Sequence, residues 1–344
     1  MSDTAPDPDL LALVEDFFGT ESGTATIAAA ETGEFPTALW RAADGIGLSR
    51  IGLPEERGGA GGGIGDAVAV LIGSGRHAVP LPLLETWTAG WALTSAGRPV
   101  DGEPTGFAAT AALRIDDGRA SGDLHAVPWG RNVSRLVALH QDRVLLLDVR
   151  GATVRERTDL AGMPADDLTV DGTPAETLEI AREDLLSRAM LGRAAQLAGA
   201  IDAAAALTRE YTQQREQFGR PIGRFQAVAE HVVLLAEAAA MSLHVVERAA
   251  MSLAFREAAF EATAAKLVVA EQAGIAIAAA HQAHGAMGMT REYRLQHLTR
   301  RLMTWRADLG DAANLATRLS HTAVAASSLA HLITDPEPRL EPAP

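Results

Sequence analysis

Residues 215–226, REQFGRPIGRFQ, bring an arginine, glutamines and phenylalanines together around a glycine and a proline. The glycine and the proline predict a turn between two helices, because glycine commonly follows a helix end and proline cannot continue a helix. A turn alone does not explain Arg215, Gln217 and the pair Phe225-Gln226. A guanidinium beside the start of the next helix is a natural cradle for a phosphate, since positive charge and free backbone N–H groups meet there. The stretch therefore predicts a phosphate-binding corner.

A second stretch, HQAHGAMGMTREYRLQHLTRR at residues 281–301, combines two glycines with basic side chains. Gly285 and Gly288 interrupt a predicted helix at a point where the backbone can approach a ligand closely. The basic run in this acidic chain consists of Arg291, Arg294, Arg300, Arg301 and Arg306. Two interpretations of these arginines stay open: a surface for an anionic ligand, or salt bridges to neighbouring helices.

Three other patterns favour structural interpretations. The glycines of residues 58–65 do not fall in the G-x-G-x-x-G register and follow no clear buried strand, so they predict a loop rather than a dinucleotide site. His281 and His284 stand three apart on a presumed helix, but no carboxylate motif completes a metal site, and none is expected. Neither the G-x-S-x-G nor the P-loop pattern occurs.

Hydrophobic periodicity predicts the elements that position these residues. The N-terminal part reads as helices joined by glycine-rich loops. The next part is turn-rich and strand-like, and RLVALHQDRVLLLDV predicts a hairpin that turns at Gln141-Asp142. From about residue 183, alanine with Leu, Val and Met at three- and four-residue spacing predicts about four long helices in an antiparallel bundle. The predicted α+β organisation is a helical domain at 1–100, a shortened β domain at 101–182, a helical bundle at 183–334 and a disordered tail at 335–344.

Composition limits the classes of function. The 344 residues contain no cysteine, which excludes disulfides, thiolate catalysis and sulfur-based zinc sites. A net charge of −14 argues against a general nucleic-acid surface. No uninterrupted apolar run approaches the roughly 18 residues of a membrane span, and the N-terminus lacks the basic start and apolar middle of a signal peptide. We therefore expect a cytoplasmic protein that binds neither nucleic acid nor membrane.

The two stretches resemble conserved sequence motifs of a known family. REQFGRPIGRFQ is similar to the signature corner R-x-x-F-G-x-x-I-x-x-F/H-Q of acyl-CoA dehydrogenases, and QAHGAMGMTREY resembles their Q-x-x-G-G-x-G-y segment. GLSRIGLPEERGGAGG followed by RHAVPLPLLET resembles their N-terminal helical domain. The resemblance covers nearly the whole chain. It implies an N-terminal α-helical domain, a middle β-barrel domain and a C-terminal four-helix bundle.

The resemblance also implies FAD, held across a dimer interface. One subunit's β domain would hold the isoalloxazine ring, and the other's C-terminal domain would hold the ADP part. Arg215 and Gln217 would meet the pyrophosphate and adenine end, with Ala286 standing where the family has a glycine. The residues assigned to FAD binding by match to the family motifs are Arg215, Gln217, Phe218, Phe225, Gln226, Gln282 and Gly285.

The reaction implied is α,β-dehydrogenation of an acyl-CoA thioester, in which a carboxylate takes the α-proton and the β-hydrogen leaves as hydride to the flavin. In most members the base is a glutamate before the last helix, where this chain has Leu309. Some relatives place it on the first bundle helix, where this chain has Ala189. Both usual positions lack a carboxylate. Asp308, beside the first, is a weak candidate for the base, and Asp311 is the other nearby acid.

A second departure from the family lies in the β domain. Members that hold a flavin ring typically show T-E-P-x-x-G-S-D, where this chain offers Thr110-Ala111-Ala112. We therefore expect the isoalloxazine loop to be missing.

Loss of the base and of the ring loop, with the ADP-side corner retained, resembles subunits of the heteromeric α2β2 acyl-CoA dehydrogenases of actinobacteria. The hypothesis is a subunit that completes the FAD site of a homologous partner. Its substrate would be an acyl-CoA, with a steroid side-chain CoA ester as one candidate, and its electron acceptor would be a flavoprotein. Two alternatives stay open: a self-sufficient enzyme with an aspartate near 308–311 as base, and a flavin-free structural subunit.

Overall fold

The computed structural model describes residues 5–325 and Ser328. The predicted tail at 335–344 and the last part of the predicted bundle lie outside these residues. The described chain is a mixed α+β fold, which confirms the predicted fold class. It forms two compact units. The first comprises the described residues up to Val70 together with Pro80–Ala189, and the second comprises Leu71–Val79 together with the described residues from Met190 onward.

Five helices occupy the N-terminal part: α1 (Pro8–Glu21), α2 (Thr24–Glu31), α3 (Thr37–Gly45), α4 (Ile64–Arg76) and α5 (Leu83–Ser95). Asp7 caps α1, because its carboxylate accepts a hydrogen bond from the backbone N–H of Asp9 at 2.8 Å. α5 is buried along nearly its whole length. Thr86 of α5 exchanges hydrogen bonds of 3.2 and 3.3 Å with the backbone of Thr105, which ties this helix to the strand that follows.

Of the glycines at residues 58–65, the first five form a loop that leads into α4, in agreement with the structural interpretation, and Gly65 lies in the first turn of α4. The guanidinium of Arg50 donates to the carbonyl of Gly58 at 2.7 Å. A Cβ on Gly59 would lie 2.1 Å from the carbonyl oxygen of Leu53, so only glycine fits there. These glycines serve close backbone packing.

Seven strands form one sheet: β1 (Thr105–Ala108), β2 (Ala112–Asp116), β3 (Arg119–Pro128), β4 (Arg135–His140), β5 (Arg143–Asp148), β6 (Thr153–Arg155) and β7 (Ala165–Leu178). Their order is β1-β4-β5-β7-β3-β2, with β6 paired to β7 and β1 parallel to β4. The predicted hairpin is present, since β4 and β5 are antiparallel and turn through two residues, with Gln141 in the left-handed region at φ 53°. The core of the sheet includes Leu124, Leu136, Leu145, Leu147 and Leu168.

The C-terminal part is helical: α6 (Arg182–Gln214), α7 (Gln226–Phe255), α8 (Ala259–His284), α9 (Leu295–Trp305) and α10 (Ala312–Ala325), with the short strands β8 (Glu216–Gln217) and β9 (Arg220–Pro221) between α6 and α7. α7 and α8 pack against each other, and many of their buried positions are alanine. By length and composition, α7 and the helical stretch Ala259–Met289 are able to cross a membrane, which is weak evidence for a span because core helices of soluble proteins pass the same test.

The stretch Leu71–Val79 brings the end of α4 into the second unit, where it packs on α6. A Cβ on either Gly75 or Gly199 would lie 1.9 Å from a carbonyl oxygen of the opposite helix, so the two backbones meet directly. Arg76 pairs with Asp202 at 2.8 Å beside this crossing. The stretch Leu71–Val79 therefore completes a face of the second unit, the helical unit.

Candidate functional site

The corner, residues 215–226, is a tight hairpin between α6 and α7. Phe218 and Gly219, with φ of 52° and 76°, make the turn between β8 and β9. The backbone N–H of Ile222 donates to the carbonyl of Arg215 at 2.8 Å and closes the base of the hairpin. The guanidinium of Arg220 lies 4.2 Å from the ring centroid of Phe225, a cation–π contact. The corner is therefore preformed within this chain.

The side chains predicted to bind FAD at the corner face outward. Arg215, Gln217 and Gln226 are exposed, and Phe218 keeps 90% of its accessible surface. Gln226 donates to Glu230 at 3.1 Å. Among the described residues, the side chains of Arg215 and Gln217 have no hydrogen-bond or ion-pair partner. A positive charge and an amide are thus left available to a ligand.

The second predicted segment lies where α8 ends. Gly285 follows at φ 57° and ψ −139°, a conformation that only glycine adopts easily, and a 3₁₀ turn runs from Gly285 to Met289. A Cβ on Gly288 would lie 2.9 Å from the Cβ of His284, so the turn packs directly on the helix end. Gln282 and Gly285 are exposed. The backbone break that the two glycines predict is present.

An aromatic cluster brings the two segments together. Tyr211, one turn before the corner, stacks on His284 with ring centroids 4.5 Å apart and an interplanar angle of 20°. The hydroxyl of Tyr293 lies 3.2 Å from Nε2 of His284, and its ring makes an edge contact with Tyr211 at 5.9 Å. Sequence reasoning missed Tyr211 and Tyr293. The signal available was that these are the only two tyrosines of the chain, Tyr211 just before the first motif and Tyr293 within the second.

The hydrogen bonds of His284 define its tautomer. Nδ1 lies 2.9 Å from the carbonyl of Ala280, which can only accept, so Nδ1 carries the proton and Nε2 accepts from Tyr293. Burial lowers the pKa of His284, with His281 adding to this effect, and burial raises the pKa of Tyr293. Both groups are therefore neutral at pH 7. In the described part of the chain, no group of three or more His, Cys, Asp or Glu is placed to hold a metal ion.

The predicted basic run is partly used inside the helical unit. Arg294 donates to the carbonyl of Arg76 at 3.4 Å. Arg301 is buried, and its guanidinium lies 5.4 Å from the ring centroid of Trp305. Arg306 packs on α8, where a Cβ on Gly274 would lie 3.1 Å from its Nη1. The three arginines are thus used within the helical unit, through a backbone hydrogen bond, a cation–π contact and packing, and none of these three contacts is a salt bridge.

The base loop, residues 306–311, connects α9 to α10 and holds the weak candidate for the base. Asp308 accepts from Nε and Nη2 of Arg193, each at 2.7 Å, and from the backbone N–H of Leu309 at 2.9 Å. Arg193 is buried and also bonds to Gln196. Leu309 is in the left-handed region at φ 60°, which is strained for leucine. The carboxylate of Asp308 is therefore engaged within the fold rather than held out toward a substrate.

Lys266 of α8 fixes the start of the base loop. It is the only lysine of the chain, and its side chain is fully buried. Its Nζ donates to the carbonyl of Arg306 at 3.1 Å, just past the end of α9. A cation at this end of a helix interacts favourably with the helix dipole. Burial nevertheless lowers the pKa of Lys266 to about 8.

Two further positions that the family resemblance singles out lie in the first unit. Ala189, the second position where relatives place a glutamate, is fully buried. β1 ends at Ala108 and β2 begins at Ala112, so three residues join them where the family's longer ring loop is expected. Nδ1 of His140 lies 3.2 Å from the carbonyl of Ala111 and holds this short connection on the end of β4.

A cavity of about 490 Å³ lies on the sheet of the first unit. Its two arginines are each paired with a carboxylate, Arg135 with Asp101 at 2.6 Å and Arg150 with Asp148. The cavity thus offers no unpaired arginine to an anionic ligand. The guanidinium of Arg215 at the corner, in contrast, has no partner among the described residues.

Known proteins resemble this chain over most of its length. Residues 7–99 match the acyl-CoA dehydrogenase N-terminal domain, and residues 179–324 match the acyl-CoA dehydrogenase C-terminal domain. The acyl-CoA dehydrogenase IpdE2 of Mycobacterium tuberculosis is 32% identical over 282 residues, which cover 79% of this chain and 83% of the relative.

Two solved structures share the fold. A variant of the Tcur3481-Tcur3483 steroid ACAD has a TM-score of 0.86 at 26% identity and covers 91% of this chain and 96% of its own. The ChsE4-ChsE5 complex of Mycobacterium tuberculosis has a TM-score of 0.85 at 21% identity and covers 95% of this chain and 100% of its own.

Proposed function

Because the chain belongs to the acyl-CoA dehydrogenase family, we propose that it is a subunit that completes the FAD site of a homologous partner and has no base of its own. The observation that carries this proposal is the contrast within the helical unit. Arg215 and Gln217 stand exposed without a partner among the described residues, whereas Asp308 is bound by Arg193. The corner thus presents unpaired side chains to a ligand, whereas the carboxylate of Asp308 is already bound within the fold.

The ADP part of FAD fits the corner. Its pyrophosphate is a dianion, and Arg215, which directly follows α6, supplies an unpaired guanidinium in the same corner that leads into α7, where backbone N–H groups are also free. Phe218, which is 90% exposed and whose ring meets Phe225 edge to face with centroids 6.1 Å apart, gives a flat apolar face for an adenine. Gln217, Gln226 and Gln282 supply exposed amides, and Gly285 supplies exposed backbone. These residues would bind and orient the nucleotide.

The isoalloxazine part does not fit this chain. The three-residue connection between β1 and β2 leaves little backbone to surround a ring, and His140 holds it on the sheet. When bound, FAD supplies hydride acceptance for α,β-dehydrogenation of an acyl-CoA. We assign the loop that surrounds the ring, and the carboxylate that removes the α-proton, to the partner.

Relatives support a heteromeric assembly. The two solved structures are named for pairs of chains, Tcur3481 with Tcur3483 and ChsE4 with ChsE5, and the first is called a steroid ACAD. By analogy we propose an α2β2 assembly acting on a steroid-derived acyl-CoA, in the cytoplasm, with a flavoprotein as electron acceptor. Fold-level analogy alone does not establish the substrate, so the assembly is tested first.

The test is the flavin content per chain, from visible absorbance, of the protein purified alone and after co-expression with a neighbouring dehydrogenase-like gene. Colourless protein alone and about one FAD per heterodimer together is the expected result, since each complete site needs one ring-binding chain. Stoichiometric yellow protein alone would overturn the shared site and direct attention back to Asp308. No flavin in either preparation would favour a structural subunit.

A further inference from the structure

The two parts of the predicted nucleotide surface are far apart in sequence. Tyr211 and His284 are 73 residues apart, yet their rings stack at 4.5 Å. Tyr211 precedes Arg215 by one helical turn, and the N–H of Arg215 donates to its carbonyl at 2.8 Å. His284 directly precedes Gly285 at the end of α8. The stacked pair therefore joins the last turn of α6 to the backbone break.

The hydroxyls reinforce the stacking. Tyr293 donates to Nε2 of the buried His284 at 3.2 Å, and the hydroxyl of Tyr211 lies 3.5 Å from the carbonyl of His284. The titratable groups that face the cluster are His281 on α8 and Glu210 on α6, besides the two tyrosines. His284 has both ring nitrogens in hydrogen bonds, so its orientation is fixed. A ring held on both edges and on one face has little freedom to tilt.

We infer that Tyr211, His284 and Tyr293 form a positioning cluster that fixes the corner, residues 215–226, against the segment Gln282–Gly285. The inference rests on the proposed function, because it explains how two surfaces that are to meet one nucleotide keep a single spacing. None of the three residues is assigned a contact with FAD. They act through the backbone of Arg215 on one side and of Gly285 on the other.

The first arm of the test is amide hydrogen exchange in the chain purified alone, comparing wild type with Tyr211→Leu, Tyr211→Phe and Tyr293→Phe. Loss of the ring in Tyr211→Leu is expected to speed exchange about fivefold at both the corner and residues 285–290, the effect of an aromatic pair. Tyr211→Phe, which keeps the stacked ring, is expected to restore nearly wild-type rates. Faster exchange confined to the end of α6, with residues 285–290 unchanged, would overturn the inference.

A spectroscopic arm covers the case in which Tyr211→Leu does not fold. The chain has two tyrosines, and both lie in the cluster, so tyrosinate absorbance reports on this site alone. Burial raises the pKa of Tyr293, so Tyr293→Phe is expected to remove an ionisation step above the ordinary range of tyrosine and to loosen the corner by a smaller factor than Tyr211→Leu. If Tyr293→Phe removes no such step and leaves exchange at the corner unchanged, the hydroxyl of Tyr293 is not held on His284 and the inference is overturned.

The last arm measures FAD release from the co-purified heteromeric complex. Tyr211→Leu is expected to release FAD about fivefold faster than wild type, and Tyr211→Phe at the wild-type rate. If wild type itself carries no FAD, the proposed function fails, while the exchange data still decide the positioning role. If FAD binds but the variant releases it at the wild-type rate although its corner has loosened, the positioning role fails and the shared site stands.

Discussion

The corner and the base loop both join helices of the same unit, and they treat their charged groups in opposite ways. At the corner, Arg215 is exposed and has no partner among the described residues. In the base loop, Asp308 accepts three hydrogen bonds, and Lys266 holds the backbone where the loop begins. A group that is to meet a ligand must remain unpaired until the ligand arrives, whereas a structural group is paired within the fold. The difference assigns ligand binding to the corner and structural support to the base loop.

Among the variants that test this comparison, Lys266→Met is expected to change the free energy of unfolding most. Burial lowers the folded-state pKa of Lys266 from its usual 10.5 to about 8. Between these values the unfolded chain binds more protons, so the wild type gains stability relative to the variant as pH rises through this window, by about 3 kcal/mol. Below pH 8 both states are protonated and the cost of burying the charge is fully present. Urea unfolding of both proteins at pH 7 and pH 10 measures the change.

An equal difference in unfolding free energy at both pH values would mean that folding does not lower the pKa of Lys266. Its amine would then be in contact with solvent, and so would the start of the base loop that it contacts. At pH 7 two effects of the substitution oppose each other: Lys266→Met relieves the buried charge, but the carbonyl of Arg306 loses the Nζ donor. The change between the two pH values, and not the difference at pH 7 alone, is therefore the quantity that tests the buried cation.

Asp308→Ala is expected to cost about 2 kcal/mol of unfolding free energy, because it leaves the buried Arg193 without its carboxylate. Turnover per folded heteromeric complex is expected to remain unchanged. Denaturant unfolding of the chain and steady-state kinetics of the complex measure the two quantities. Asp311→Ala is the comparison variant: it removes an exposed carboxylate that caps α10 by accepting from the N–H of Asn314 at 2.8 Å, so it is expected to cost about 1 kcal/mol of stability and to leave turnover unchanged.

A loss of turnover by orders of magnitude in Asp308→Ala, with stability intact, would break the comparison. It would make the base loop a catalytic element, and the self-sufficient alternative would then replace the shared site.

Arg215→Ala is expected to weaken FAD binding in the complex about tenfold, because one charge-assisted contact to a phosphate is lost. The stability of the isolated chain is expected to be unaffected, since the side chain has no partner among the described residues. Equilibrium dialysis of FAD from the complex measures the effect. Arg224→Ala, which removes an equal charge from the same corner, is expected to show a smaller change. Equal effects from both would show that general positive charge, and not a contact at Arg215, holds the nucleotide.

Local patterns predicted much of this molecule. The hairpin at Gln141-Asp142, the glycine loop at 58–65 and the break at Gly285 each follow from residues close together in sequence. Their conformations depend on backbone preferences that a sequence displays directly. The placement of the predicted FAD residues on the surface was also accessible, because polar and small residues dominate both motifs.

The remaining features depend on contacts between distant residues. Arg193 and Asp308 are 115 residues apart, so nothing near Asp308 in the sequence signals that its carboxylate is taken. Arg76 and Asp202 are 126 residues apart, and the docking of Leu71–Val79 on α6 requires glycines on both helices. The Tyr211–His284 stack has the same character. Such pairings arise from tertiary packing, which periodicity within one segment does not encode.

The buried Lys266 has a consequence for chemical labelling. Every other basic side chain in the sequence, histidines aside, is an arginine, so the chain has no other lysine for an amine-reactive ester to modify. Modification at Lys266 requires α8 to separate from its neighbours, because the amine is fully enclosed in the folded unit. The rate of its acylation therefore reads the opening of the helical unit directly, in the isolated chain or within an assembly.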